Sequence, residues 1–143
     1  MSFLNPLPAT LSRRIALFTV AGFFTFAGVG HFTNTEFFVA IVPAYLPAPY
    51  LLVYVSGVFE LLGGVGVLES RTRRFAGYGL LALLVAVFPA NIYMAMNPEL
   101  YPDMPAAGLY GRLPIQFVFA AIIWWGTLSS GSTHSNLDAE LNA

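Results

Sequence analysis

Four long apolar runs dominate the chain, and short segments rich in proline, arginine or acidic residues separate them. Each run is between 16 and 22 residues long, and the four are Ile15–Gly30, Tyr50–Leu68, Phe75–Met96 and Leu113–Leu128. A helix of about 17–25 mostly apolar residues crosses the hydrocarbon core of a bilayer. No run alternates with a period of two, as the strands of a membrane β-barrel do. The pattern predicts an all-α bundle of four transmembrane helices, at about 13–32, 50–69, 74–96 and 111–129.

The composition supports a membrane protein and excludes several other classes. Hydrophobic residues make up 57% of the 143 residues and charged residues only 9%, against about 25% charged residues in a typical soluble chain. The net charge of −1 and the lack of lysine exclude a basic nucleic-acid-binding protein. The lack of cysteine excludes disulfides and thiol-based catalysis. We expect one membrane domain at 1–128 and a disordered cytoplasmic tail at 129–143, where polar residues show no periodicity.

Arginine placement predicts the orientation of the helices. Five arginines flank the predicted inner ends of the helices, namely Arg13, Arg14, Arg71, Arg73 and Arg74. Arg112 alone lies toward the other side. Because cytoplasmic loops carry the excess of Lys and Arg, this distribution predicts that both termini and the middle loop are cytoplasmic. A cleaved signal peptide is disfavoured, since Phe26-Ala27-Gly28 is not an A-x-A site.

The first outer loop carries a helix-start signal. Thr33-Asn34-Thr35-Glu36 has the spacing of a capping box, in which Thr33 would cap a helix and Glu36 would reach back to it. Aromatic and aliphatic residues follow, and Pro43 ends the segment. We predict a short helix at Asn34–Val42 that lies in the outer membrane interface.

Glu60 is the strongest polar signal inside the predicted membrane region. It lies ten residues past Tyr50, which places it about 15 Å deep, near the middle of the hydrocarbon core. Its helix face also carries small residues, namely Ser56, Gly57, Gly63 and Gly64. Small residues let a second helix approach closely. We therefore expect Glu60 to face the interior of the bundle.

Five polar side chains are expected to converge in the outer half of the bundle. They are His31, Glu60, Asn91, Arg112 and Gln116. Helical side chains lean toward the N-terminus of their own helix, so Glu60 leans outward while His31 and Asn91 lean inward. Two interpretations stay open: a ligand-binding site, or a buried network that fixes helix register with Glu60 protonated or paired to Arg112. No ligand set for a metal site is predicted.

A weak internal repeat relates the two halves of the chain at an offset of 60. It aligns Arg13-Arg14 with Arg73-Arg74, and His31 with Asn91. If the repeat is real, the bundle consists of two helical hairpins in the same orientation.

The chain also resembles the DoxX-like family of small bacterial membrane proteins, from about residue 13 to 128. The motifs that carry the resemblance are Gly30-His31-Phe32, Phe38-Val39-Ala40-Ile41-Val42-Pro43, Leu46-Pro47-Ala48-Pro49, Ser56-Gly57-Val58-Phe59-Glu60-Leu61-Leu62-Gly63-Gly64, Arg73-Arg74, Phe88-Pro89-Ala90-Asn91-Ile92-Tyr93-Met94-Ala95 and Arg112-Leu113-Pro114-Ile115-Gln116. The resemblance implies a four-helix bundle in the bacterial cytoplasmic membrane. Relatives in that family are named as a subunit of a thiosulfate–quinone oxidoreductase and as accessory proteins in amine-dehydrogenase maturation.

Three functional hypotheses follow. The first is a site for a small amphipathic ligand, a quinone or a membrane lipid, in an accessory subunit of a membrane redox enzyme. The second is a chaperone or assembly factor that holds a client membrane protein and has no chemistry of its own. The third is a transporter or proton path through Glu60, which four short helices could form only as a homo-oligomer. None of the three is a stand-alone enzyme, and no nucleic-acid partner is expected.

Overall fold

The computed structural model describes residues 7–8 and 10–129, and this part of the chain is helical and contains no strand. Its α-helices are α1 (Leu11–Thr33), α2 (Thr35–Ala40), α3 (Pro49–Gly66), α4 (Arg73–Met96) and α5 (Ala106–Ile123). A 3₁₀ turn at Pro98–Leu100 precedes α5, and a π-helical turn at Trp124–Leu128 extends it. In the described residues, four helices are long and apolar enough to cross a membrane: α1, α3, α4, and α5 with its extension. The predicted all-α fold with four such helices is confirmed, whereas the predicted tail falls outside the described residues beyond Ser129.

The four long helices form a closed ring in which sequence neighbours are antiparallel. The most extensive contact is between α1 and α3. α3 also packs on α4 and α4 on α5, and α5 with its π-helical turn returns to α1. Arg13 at the start of α1 donates hydrogen bonds to the backbone carbonyl and hydroxyl oxygens of Ser129, which closes the ring. We call the end with the starts of α1 and α4 the arginine end, and the end with α2 and residues 97–105 the α2 end.

The hydrophobic core lies nearer the arginine end. Its fully or nearly fully buried members come from all four long helices and their ends: Leu17, Val20, Ala21, Phe24, Val67, Leu80 and Ile123. Phe23 and Phe24 pack their rings on Phe119 of α5, with centroids 4.1 and 5.8 Å away. The cavities and polar side chains described below therefore lie mainly toward the other, less tightly packed end.

Glycines let α1 and α3 pack backbone against backbone. A Cβ atom added to Gly57 would lie 2.7 Å from the Cβ of His31, and one added to Gly64 would lie 2.9 Å from the backbone nitrogen of Thr25. Gly28 of α1 lies just as close to the backbone of α3, because a Cβ atom added to it would lie 3.0 Å from the Gly57 carbonyl oxygen. Small residues at such a contact let helices approach within van der Waals distance. α1 thus covers the part of the small-residue face of α3 that carries Gly57 and Gly64, whereas Gly63 packs on Leu80 of α4.

Two helix boundaries differ from those expected. α3 ends at Gly66, three residues before the predicted end at 69, and α5 begins at Ala106 instead of 111. Polar and proline residues led us to assign residues 97–111 to a loop. Pro105, however, is extended (ψ 145°), and its carbonyl oxygen accepts hydrogen bonds from the backbone of Gly108 and Leu109. A proline is well suited to a helix start because it has no N–H to satisfy there.

The expected capping box is wrong, although a helix does form in this loop, at Thr35–Ala40. Thr33 is the last residue of α1, and its hydroxyl donates to the carbonyl oxygen of Val29 at 3.2 Å. A threonine inside a helix commonly satisfies its hydroxyl in this way. Asn34 precedes α2 without a side-chain cap. Glu36 does not reach back but accepts a hydrogen bond at 3.0 Å from the hydroxyl of Tyr50 on α3.

Candidate functional site

His31 and Glu60 meet where α1 packs on α3. The Nδ1 atom of His31 lies 3.4 Å from Oε2 of Glu60, and the two side chains are only 9% and 14% exposed. Nδ1 also lies 2.9 Å from the carbonyl oxygen of Ala27. Since a carbonyl oxygen can only accept, Nδ1 carries a proton, and Nε2 of a neutral imidazole is left as an acceptor. The leaning of side chains toward each helix N-terminus accounts for the meeting of these two residues.

The carboxyl group of Glu60 lacks a hydrogen bond at one of its oxygen atoms among the described residues. Its Oε2 atom is buried and has no hydrogen-bond partner among the described residues. The basic group closest to it in that part of the chain is the His31 ring. A buried polar atom without a partner carries a desolvation penalty of about 1–3 kcal/mol. Such a group calls for an explanation beyond helix packing.

A cavity of about 500 Å³ lies beside His31, between α2, α3 and α4. Its walls are mostly apolar, and the polar side chains among them belong to His31 and Ser56. The His31 ring stacks on Phe38 of α2, with ring centroids 3.9 Å apart and planes at 24°. Glu60 is not part of the wall and reaches the cavity only through its contact with Nδ1 of His31. The geometry places one imidazole both on the wall of an apolar cavity and beside a buried carboxyl group.

Asn91 and Gln116 form a separate pair between α4 and α5. The Asn91 amide nitrogen donates to Oε1 of Gln116 at 2.7 Å, and Gln116 donates in turn to the carbonyl oxygen of Leu84. Gln116 is only 8% exposed. Both amides thus form hydrogen bonds within the bundle, and neither residue lines the cavity beside His31. This pair joins two helices, as single amides in membrane bundles often do.

Arg112 lies apart from both pairs. Its Nη1 atom contacts Sδ of Met94 at 3.8 Å, and it lines a second cavity of about 430 Å³ at the α2 end. No ion pair joins Arg112 to Glu60 within the described residues. The five predicted site residues are therefore distributed over three places. The order of the ring separates Glu60 from Arg112 and Gln116, because α3 and α5 are not sequence neighbours and lie across the bundle from each other.

Some residues of these sites were not anticipated from the sequence. The sequence predicts an interfacial helix that includes Phe38 and does not predict its contact with His31, nor the contact of Met94 with Arg112 or the place of Tyr101 in the wall of the second cavity. The stacking of Phe38 depends on α2 folding back over the end of α1, which no local pattern encodes. Within residues 7–8 and 10–129, no three His, Cys, Asp or Glu side chains are grouped as metal ligands.

Fold and site together define a class: an all-helical bundle with four helices of membrane-spanning length and apolarity, as in a multi-pass membrane protein. The family described as "Domain of unknown function (DUF8561)" matches residues 20–127, and the chain belongs to this family. No curated protein and no solved structure matches the chain.

Proposed function

We propose that the protein binds a small amphipathic molecule, a quinone or a membrane lipid, in the cavity beside His31. The observation that carries this proposal is the pairing of an apolar chamber with one imidazole on its wall. Small-molecule sites are typically clefts of about 300–1,000 Å³ with apolar walls and few polar groups. The volume of about 500 Å³ falls in this range.

The residues present fit the chemistry of such a ligand. The apolar body would lie against α3 and α4, and its polar head would meet Nε2 of His31 and the hydroxyl of Ser56. The Nδ1–H bond to Ala27 fixes the ring, so that Nε2 is held in a defined direction. Glu60 is a positioning residue, since it acts on the ligand only through the imidazole. A quinone, when bound, would supply electron transfer, and the chain would supply orientation and a water-poor environment.

The orientation and location of the protein belong to the same proposal. Five arginines at the arginine end against one toward the α2 end support cytoplasmic termini. In this orientation α2 would lie in the outer interface, with its aromatic residues at the level of the lipid head groups. The resemblance to DoxX-like proteins supports the bacterial cytoplasmic membrane and a role as an accessory subunit of a membrane redox enzyme.

An assembly factor is the second candidate, and one observation favours it. Only 11% of the 18-residue apolar stretch of α4 that could span a membrane is buried inside the bundle. A Cβ atom added to Gly79 on that helix would meet no other atom within 4 Å. A helix of a client protein or of a second copy could approach closely there. Because Gly79 also lines the cavity, ligand and partner would compete for one surface.

The test is extraction of the protein from its membrane in mild detergent, followed by analysis of copurified lipids, quinones and proteins. Gly79→Leu would place a bulky side chain in the wall of the cavity. Gly22→Leu is the matched control, because Gly22 is also an exposed helical glycine with free space around it. We expect one amphipathic species to copurify near stoichiometrically with the wild type and the control, and to be lost from Gly79→Leu. Copurification of a protein instead supports the assembly factor, and equal ligand content in both variants contradicts the proposed cavity.

A further inference from the structure

A second cavity of about 430 Å³ opens at the α2 end, between α2, residues 100–105 and the start of α5. Phe37, Leu100 and Met104 form apolar parts of its wall. The residues with ionisable or hydrogen-bonding side chains in the wall are Tyr101, Asp103 and Arg112. None of these residues contributes to the cavity beside His31.

Arg112 is a half-buried cation with one weak hydrogen bond and no ion pair among the described residues. Its single side-chain hydrogen bond among the described residues goes to the sulfur of Met94, at 3.8 Å. No carboxylate in that part of the chain forms an ion pair with it. A thioether is a weak acceptor, and a guanidinium has five N–H donors arranged in a planar fork. Most of the hydrogen-bonding capacity of Arg112 is therefore free toward the cavity.

The other two polar residues affect an anion in opposite ways. Burial raises the pKa of the Tyr101 hydroxyl above its ordinary value, and the neighbouring Tyr93 raises it further. Tyr101 consequently stays a neutral hydrogen-bond donor at physiological pH. Asp103 is exposed and would repel an anion at moderate range. The cavity thus offers one cationic fork, one neutral donor and apolar walls, with the exposed carboxylate of Asp103 opposing an anion.

We propose that this second cavity binds the phosphate group of an amphiphile, with Arg112 as the phosphate ligand and the apolar walls around its chain. The planar guanidinium matches two phosphate oxygens at once, which a lysine cannot do. The same phosphate chemistry is also present in free inorganic phosphate. The apolar walls favour a lipid as the source. The proposal for this site does not rest on the ligand proposed for the cavity beside His31.

The experiment compares three probes on the full chain in micelles of an uncharged detergent. Dioleoylphosphatidate carries the phosphate, dioleoylglycerol has the same chains without it, and inorganic phosphate has no chains. Binding is measured by native mass spectrometry for the two lipids and by thermal unfolding for all three probes. We expect phosphatidate to bind at least about tenfold more tightly than dioleoylglycerol, as charge-assisted hydrogen bonds provide. If inorganic phosphate stabilises the protein and phosphatidate does not, free phosphate is the source. If phosphatidate binds and inorganic phosphate does not stabilise the protein, the lipid is the source.

Four variants test the assignment to Arg112. Arg112→Gln should remove the preference for phosphatidate, and Arg112→Lys should keep only a part of it, because the charge remains but the two-oxygen contact of the guanidinium is lost. Arg71→Gln is the matched control, since Arg71 is an exposed arginine at the opposite end, and it should leave the preference unchanged. Asp103→Asn should increase the preference by relieving repulsion.

Several results would overturn the proposal. They are equal binding of phosphatidate and dioleoylglycerol to the wild type, a preference that survives Arg112→Gln, and an equal loss in Arg71→Gln. If Arg112→Gln does not fold, Asp103→Asn decides, because an unchanged or weaker preference in that variant contradicts a phosphate in this cavity.

Discussion

The ring of His31 lies face to face with that of Phe38, with centroids 3.9 Å apart and planes at 24°. The pair joins the last turns of α1 to α2. It also places both rings on the wall of the larger cavity. The position of the imidazole in that cavity therefore depends on a helix of only six residues.

Removing the stacked ring should loosen His31 without unfolding the bundle. We expect Phe38→Ala to lower the free energy of unfolding by about 0.5–1.5 kcal/mol beyond the loss of buried area, as an aromatic pair contributes, and to weaken ligand retention. Phe26→Ala is the control, because Phe26 is 82% exposed and lines neither cavity. Reversible unfolding in mixed micelles and the content of copurified ligand measure both effects. Equal changes in the two variants would contradict the role of the stack.

Glu60→Gln should separate a functional carboxylate from a structural one. Glutamine keeps the size of Glu60 and one acceptor oxygen that can face Nδ1 of His31, so we expect a change in unfolding free energy below about 1 kcal/mol. We also expect loss of copurified ligand, because the carboxylate next to Nδ1 of His31 is gone. Glu99→Gln, at an exposed loop position, should alter neither property. A normal ligand content in Glu60→Gln would show that the carboxylate only fixes helix packing.

The Asn91–Gln116 pair should contribute to stability and not to ligand binding. Gln116→Leu leaves the amide of Asn91 and the carbonyl of Leu84 without this partner, and an unsatisfied buried group costs about 1–3 kcal/mol. The double variant Asn91→Leu with Gln116→Leu should lose less than the sum of the single losses, since neither partner is then left unpaired. Ligand content should stay normal in all three variants. Additive losses would show that the two amides act independently.

Gly57 should tolerate no side chain. A Cβ atom there would lie 2.7 Å from the Cβ of His31 and 2.8 Å from Cε2 of Phe32. Gly57→Ala should therefore destabilise the bundle by about 1–3 kcal/mol, as overpacking does. Gly22→Ala meets nothing within 4 Å and should be neutral or stabilising by about 0.5–1 kcal/mol. Thermal unfolding of the two variants in the same detergent is the comparison, and similar shifts would contradict the close packing of α1 on α3.

The orientation can be tested with single cysteines, since the chain has none of its own. Ser70→Cys, at the arginine end, should be protected from an impermeant thiol reagent in intact cells. Asp103→Cys, at the α2 end, should react. Both should react after the membrane is permeabilised. Labelling of the first and protection of the second in intact cells would reverse the proposed orientation.

The four spans follow from the sequence because a membrane-length helix requires an apolar run, which is a local property. The start of α5 was missed because Pro105 and the small residues after it resemble a loop in composition while serving as a helix start. Thr33 was misassigned because a hydroxyl near the end of a helix can bond either to the preceding turn or to the following one. The choice depends on where α1 stops, which is decided by its packing.

The site was predictable only in part. The lean of helical side chains brings His31 toward Glu60 and Asn91 toward Gln116, so that each hairpin has one polar pair, α1 with α3 and α4 with α5. The separation of the two pairs and of Arg112 could not be predicted. The separation of the two pairs follows from the order of helices around the ring, and no single helix carries that information.

Ile41 lines both cavities. A molecule that shifts Ile41 on binding to one cavity changes the wall of the other, so the occupancies are thermodynamically linked. Such a linkage is reciprocal, because the factor by which the first molecule alters the affinity for the second equals the factor in the opposite direction. If the first molecule orders α2 on binding, the second molecule binds to an already ordered helix and loses less conformational entropy. Each molecule then raises the affinity for the other. The short helix at the α2 end is then an allosteric element whose coupling free energy could be read from the affinity for one ligand at saturating concentrations of the other.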